Sequence, residues 1–295
     1  MSGELAVTLL AVLGVGVLAL TGLTAWWLLG NPQRIRAGLA WLATRPAVIR
    51  GRSRYPRQWR FLQRRFAPGE AAGLALTLGV ATVLALGLGF AQLWDSVVEG
   101  DGIAVADRPA VSFLAAHRQP WSTTAARVIT DVGSPVGVAV TALIVGVALA
   151  RIRRSALPLL VLALGAGGIG VLNMVVKRLV SRSRPPVSSA VLGEGGFSFP
   201  SGHTVGTTVV WLLSAWMLGH WVISRRAVRV VVWALALLVI VAVGVTRVYL
   251  GVHFPSDVLA AWALGAAWAT TVALAASVWE QAQRRGEPRA ALRGG

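Results

Sequence analysis

Seven stretches of roughly 20 apolar residues punctuate this chain, near 5–29, 71–94, 135–152, 156–176, 204–222, 228–246 and 256–278. As helices rising about 1.5 Å per residue, each is long enough to cross the roughly 30 Å hydrocarbon core of a bilayer. The pattern predicts a polytopic bundle of membrane helices. The glycines between Gly165 and Gly170 make the fourth stretch the least ideal helix, because glycine is a poor helix former. The first stretch is too long for the apolar part of a cleaved signal, and Met1-Ser2-Gly3-Glu4 offers no basic start. It is expected to stay as an N-terminal anchor.

Composition agrees with this pattern: 56% hydrophobic against 13% charged residues is too apolar for a soluble core. Cysteine is absent, which excludes disulfides, a thiol nucleophile and thiolate metal sites. A net charge of +17 would suit a nucleic-acid binder only if the cations shared one soluble face. Here they cluster at the ends of apolar stretches, the way topology is written into membrane helices, so no nucleic-acid partner is expected.

Ten arginines, from Arg34 to Arg65, lie between the first two stretches and place that linker in the cytoplasm. Alternating sides from there puts 20 of the 28 Lys and Arg residues inside. Five of the other eight, Lys177, Arg178, Arg182, Arg184 and Arg247, belong to the clusters described next. Trp41, Trp59, Phe61 and Phe66 among the linker arginines suit either helices lying along the inner leaflet or a solvated topogenic loop. The acids of the outer loop, residues 95–134, have no metal-cage spacing. The domain reading is an anchor over 1–30, a basic cytoplasmic linker over 31–69, a catalytic membrane domain over 70–278 and a basic cytoplasmic tail over 279–295.

Three clusters carry chemistry. Lys177 is followed after six residues by Arg184 and Pro185, on a face otherwise poor in charge. Cations beside a bilayer are costly and imply an anionic partner, and a phosphate dianion suits a planar arginine fork with a lysine point charge. Next, Pro200-Ser201-Gly202-His203 precedes the fifth stretch. A helix start there presents unpaired N–H groups to an anion, and glycine lets the backbone come close. In the third cluster, Arg247 precedes His253 by six positions, and Asp257 lies four beyond, at the start of the last stretch. An ionised aspartate beside an imidazole fixes its tautomer, so His253 reads as an oriented nucleophile or base. The arginine-derived topology brings all three clusters to one membrane face.

The spacings Lys-x6-Arg-Pro, Pro-Ser-Gly-His and Arg-x5-His-x3-Asp, in this order, resemble the type 2 phosphatidic acid phosphatase (PAP2) superfamily. The resemblance covers about residues 70–278 and includes the weaker Asp107, Arg118 and Gly133-Ser134 positions. It implies an all-α, six-helix core working without metal or other cofactor, to which this chain adds one N-terminal transmembrane helix. It further implies His253 as nucleophile, Asp257 as its orienter and His203 as general acid. Lys177, Arg184, Ser201, Gly202 and Arg247 would bind phosphoryl oxygens, with Arg178 and Arg182 as auxiliaries. Two departures are Thr246, where serine is usual, and Ser181-Arg182-Ser183 in place of a commoner Gly or Asp-Arg-Pro run.

The expected activity is hydrolysis of lipid phosphates or diphosphates through a phosphohistidine, at the extracytoplasmic face of the inner membrane. That location favours undecaprenyl diphosphate; phosphatidate, phosphatidylglycerol phosphate and phosphotransfer stay open. A transporter or lipid-binding module would need the cations but not His203, His253 and Asp257. A serine hydrolase on Ser201 lacks the strand-turn-helix elbow of that chemistry. Membrane lipids are the expected surroundings, and nothing in the sequence specifies an oligomer.

Overall fold

The computed structural model describes residues 71–186 and 190–291, with Thr44 and 54–56. The expected anchor over 1–30 and most of the linker over 31–69 lie outside the described residues. The chain divides into two compact units. Among the described residues, the one over Gly16–Ala81 contains the first turns of helix α1 (Ala71–Glu99), and the other contains everything from Thr82 on.

The described residues are all-helical. After α1 come a 3-10 helix, Gly102–Ala106, then α2 (Asp107–Ala116), α3 (Pro120–Val132), α4 (Pro135–Arg153) and α5 (Leu157–Val180). The last three are α6 (Gly202–Trp221), α7 (Arg226–Tyr249) and α8 (Pro255–Ala291). Proline opens α3, α4 and α8 and stands second in α5, where its missing N–H costs no helical bond.

Six of the seven expected spans correspond to α1 and α4 to α8. Five of these helices are long and apolar enough to cross a membrane, and α6 is not among them. Its polar Gly202, His203, Thr204, Thr207, Thr208 and Ser214 need no lipid, because α6 packs against α4, α5, α7 and α8. Leu149, Val161, Leu162, Ile169, Val205, Val209, Leu213, Met217 and Val272 form the main core around it. Without water to exclude, such helices associate by close packing, and small residues permit it.

The glycine run of α5 illustrates this. It does not interrupt the helix, and a Cβ on Gly165 would lie 2.4 Å from Leu213 Cδ1, one on Gly168 2.3 Å from Trp268 Cζ2. These glycines admit α6 and α8, and Trp268 donates to the Gly165 carbonyl at 3.0 Å. The outer loop expected over residues 95–134 is in fact mostly helical. α2 and α3 are too short to span, and they pack on α7, with α2 also touching α8.

Candidate active site

Successive helices run in opposite directions, so the end of α5, the start of α6, the end of α7 and the start of α8 share one end of the bundle. Lys177 stands in the last turn of α5, Ser201 caps α6, Gly202 and His203 open α6, and Arg247 lies in the last turn of α7. His253 occupies the turn before α8, and Asp257 its first turn. The three sequence clusters therefore meet. A cavity of about 320 Å³ lined by Arg153, Leu157, Trp279 and Gln283 lies at the other helix ends and contains none of them.

His253 is buried, at 1% exposure, and held from both sides. Arg184 Nη1 lies 3.1 Å from His253 Nε2 and can only donate, so Nε2 accepts. The proton then sits on Nδ1 and points to Asp257 Oδ2 at 3.3 Å. Burial drives the His253 pKa down to about 4, against the pull of Asp257 and with the help of Arg184 and Arg247. The ring is neutral at pH 7, with its lone pair on the nitrogen beside a guanidinium.

Asp257 is fixed in turn. Its Oδ2 accepts from Ser198 Oγ and from the Phe254 N–H at 2.8 Å, and its Oδ1 accepts from Arg182 Nη1 at 2.6 Å. Arg182 also donates to Ser256 Oγ at 2.7 Å and to Asp107 Oδ2 at 2.6 Å, and lies 4.3 Å from the centre of the Phe254 ring. Asp107, 1% exposed at the start of α2, completes the group by accepting the Ser256 N–H at 3.0 Å. Arg182, expected as a phosphate auxiliary, thus spends its donors on two carboxylates and a hydroxyl. Arg178 is exposed, and among the described residues its side chain has no hydrogen-bond or ion-pair partner.

The remaining cations surround Glu194, which the sequence reading did not single out. Arg247, fully buried, donates from Nη1 to Thr130 Oγ1 at 2.9 Å and from Nη2 to Glu194 Oε1. Arg184 Nη1 lies 3.1 Å from Glu194 Oε2 and donates to the Val252 carbonyl at 2.8 Å. Burial alone would raise the Glu194 carboxyl, but Arg247, Arg184 and His203 overcome it and hold it below the usual carboxylate range. Lys177 Nζ donates to the Phe197 carbonyl.

His203 is half-buried within electrostatic reach of Arg247, Glu194, His253 and Arg184, and its ring makes no hydrogen bond to the described residues. Ser201 is buried, with its hydroxyl accepting from Thr204 at 2.9 Å. A Cβ on Gly202 would meet only Asn173 Nδ2 at an ordinary 3.5 Å, so packing within the protein does not require glycine there. Thr246 turns its hydroxyl back to the Val243 carbonyl at 2.7 Å. Ser181 caps α5 in the left-handed region, at φ 49°, a conformation that explains why glycine is common there. Among the described residues no three His, Asp or Glu side chains gather as a metal site.

The PAP2 superfamily model matches residues 155–281, which contain every residue proposed above from the motifs. Phosphatidylglycerophosphatase B of Bacillus subtilis is 35% identical over 148 residues, 50% of this chain and 72% of that protein. The chain belongs to the PAP2 superfamily. It is a lipid phosphatase embedded in a membrane by several helices. A decaprenylphosphoryl-5-phosphoribose phosphatase of Mycobacterium tuberculosis is 32% identical over 152 residues, 50% of this chain and 77% of that one. The crystal structure of a transmembrane PAP2 type phosphatidylglycerolphosphate phosphatase from Bacillus subtilis superposes with a TM-score of 0.61. It is 30% identical and spans 65% of this chain and 94% of its own. Asp107 and Thr130 precede the matched segment, yet the fold brings both to the site.

Proposed function

We propose that this PAP2 protein hydrolyses a phosphate monoester carried on a lipid, through a phosphohistidine on His253, at the extracytoplasmic face of the cell inner membrane. The observation that carries the reading is the doubly held His253, with Nδ1 on Asp257 and Nε2 facing Arg184. In the first step the Nε2 lone pair attacks phosphorus in line, and the bond to the lipid oxygen breaks. His203 gives that oxygen its proton. Lys177, Arg184, Arg247 and the Gly202 N–H hold the peripheral oxygens, the Ser201 N–H being held by the Asp257 carbonyl at 3.2 Å, and Asp257 stabilises the charge on the imidazole. In the second step His203 takes a proton from water, the oxygen attacks phosphorus, the P–N bond breaks, and phosphate leaves. The same cations would repel a divalent ion from the site.

Both named relatives act on a lipid that bears a phosphate monoester, which supports that class of substrate here. Undecaprenyl diphosphate is the second reading, favoured by the outward topology inferred from the arginines. Purified protein supplied with phosphatidylglycerol phosphate, phosphatidate and undecaprenyl diphosphate should release phosphate fastest from a monoester. Rapid quenching should trap acid-labile, base-stable phosphate that is lost in His253→Ala and persists in His203→Ala. Phosphate trapped on Ser201 would sink the mechanism.

A further inference from the structure

Glu194 occupies the place where the proposed reaction needs phosphoryl oxygens. One of its oxygens is bonded by Arg247 Nη2, and the other lies 3.1 Å from Arg184 Nη1. A carboxylate and a phosphoryl group offer a guanidinium fork the same arrangement of acceptors, so they compete for it. We infer that Glu194 is a built-in occupant of the phosphoryl subsite, holding Arg184 and Arg247 in the empty enzyme and displaced when a phosphoryl group binds. This step rests on the phosphatase reading above, since that reading assigns both arginines to the substrate.

Arg247 supplies the first argument. It is 0% exposed, and a buried cation without a partner is strongly destabilising, so an anion must accompany it when no substrate is bound. Glu194 fills that need incompletely, because Arg247 Nε has no hydrogen-bond partner in the described structure. A phosphoryl group brings three peripheral oxygens where the carboxylate brings two, and the third can serve the spare donor.

The second argument is that Glu194 is free to leave. Its side chain is 23% exposed, and its neighbours are Gly193, Gly195 and Gly196. A Cβ on any of the three would meet nothing within 4 Å, and Gly196 has a φ of +76°. No side-chain packing anchors these glycines. Arg184 ties the middle of the segment, donating to the Gly195 and Gly196 carbonyls at 3.2 Å each, while the Val191 N–H on the Leu250 carbonyl at 2.9 Å and Lys177 on the Phe197 carbonyl fasten the flanks. When Arg184 turns to a substrate, the carboxylate and the middle of its segment are released together, and no core is dismantled.

Binding of phosphate is then a difference between two anions, and its apparent affinity falls by the fraction of molecules in which Glu194 has moved away. Weakened retention of the product would follow. The test is equilibrium binding of inorganic phosphate and of orthovanadate to the purified full chain in detergent, by titration calorimetry. Glu194→Gln and Glu194→Ala should each bind both anions at least about fivefold tighter than the unmodified chain. Equal or weaker binding in the variants, or no binding by any of the three, would overturn the inference. A second measurement needs no change at Glu194. Gly193→Cys, placed in a chain that has no cysteine, should react faster with maleimide when vanadate is present, and an unchanged rate would equally overturn it. Neither measurement depends on turnover. Tighter binding without lipid phosphate hydrolysis would defeat the phosphatase reading alone, and hydrolysis without tighter binding would defeat the displacement alone.

Discussion

His253 and Asp257 stand four residues apart across the start of α8, and that separation alone leaves their geometry loose. What tightens it comes from elsewhere in the chain: Ser198 and Arg182 from the α5 to α6 connection and Asp107 from α2. Arg182 is shared by two buried carboxylates, so its loss would leave both without their cation. The protonation of His253 follows from this environment. A solvated imidazole titrates near 6.5, whereas burial and the facing arginines place His253 at about 4. The neutral ring attacks, so the low-pH limb that His253 itself contributes should lie near 4 and not near 6.5. The substrate's own second ionisation, near 6, must be removed by expressing kcat/KM per dianionic substrate. A low-pH limb centred near 6.5 after that correction would show that His253 titrates as if solvated.

At the scale of elements, glycine carries two opposite meanings within one helix. Gly165 and Gly168 of α5 face α6 and α8 so closely that an added methyl group would overlap Leu213 or Trp268. Gly167 and Gly170 are exposed, and a Cβ there would touch nothing within 4 Å. Gly165→Ala and Gly168→Ala should therefore destabilise the protein by about 1–3 kcal/mol, the usual cost of overpacking. Gly167→Ala and Gly170→Ala should be neutral or stabilise by up to about 1 kcal/mol, because alanine is the better helix former. Thermal unfolding of the four variants in one detergent checks this, and equal shifts in all four would refute the packing account. The spans themselves were legible because length and apolarity suffice to mark a membrane helix, which is why six expected stretches match six helices. Which glycines faced a neighbour was not legible, since that depends on helix rotation. α2 and α3 escaped notice because short helices resting on α7 leave no continuous apolar run. The motif residues were legible through fixed spacing. Glu194 was not, because no spacing ties a loop glutamate to arginines 10 residues before it and 53 after it.

At the scale of the whole molecule, the two ends of the bundle differ in kind. One gathers the histidines with Asp257, Arg184 and Arg247. The other carries Arg153, which bonds Glu280 at 3.0 Å and lies 4.5 Å from the Trp221 ring centre, a pairing of charge and indole suited to a membrane interface. Arg151, Arg154, Arg225 and Arg226 stand at the same helix ends, and the positive-inside rule predicts that this end faces the cytoplasm. In the proposed orientation the phosphatase site would open on the opposite side and would draw its lipid from the outer leaflet. Because the chain has no cysteine, single cysteines report the orientation without background. Asp101 and Ser155 are both exposed, the first just before the 3-10 helix leading to Asp107, the second in the turn from α4 to α5. In intact cells Asp101→Cys should react with a membrane-impermeant maleimide and Ser155→Cys should not, while both react once the membrane is permeabilised. The reverse pattern would put the site in the cytoplasm. Hydrolysis of lipid phosphates would survive that result, but an outer-leaflet substrate would not, and undecaprenyl diphosphate would lose its only support.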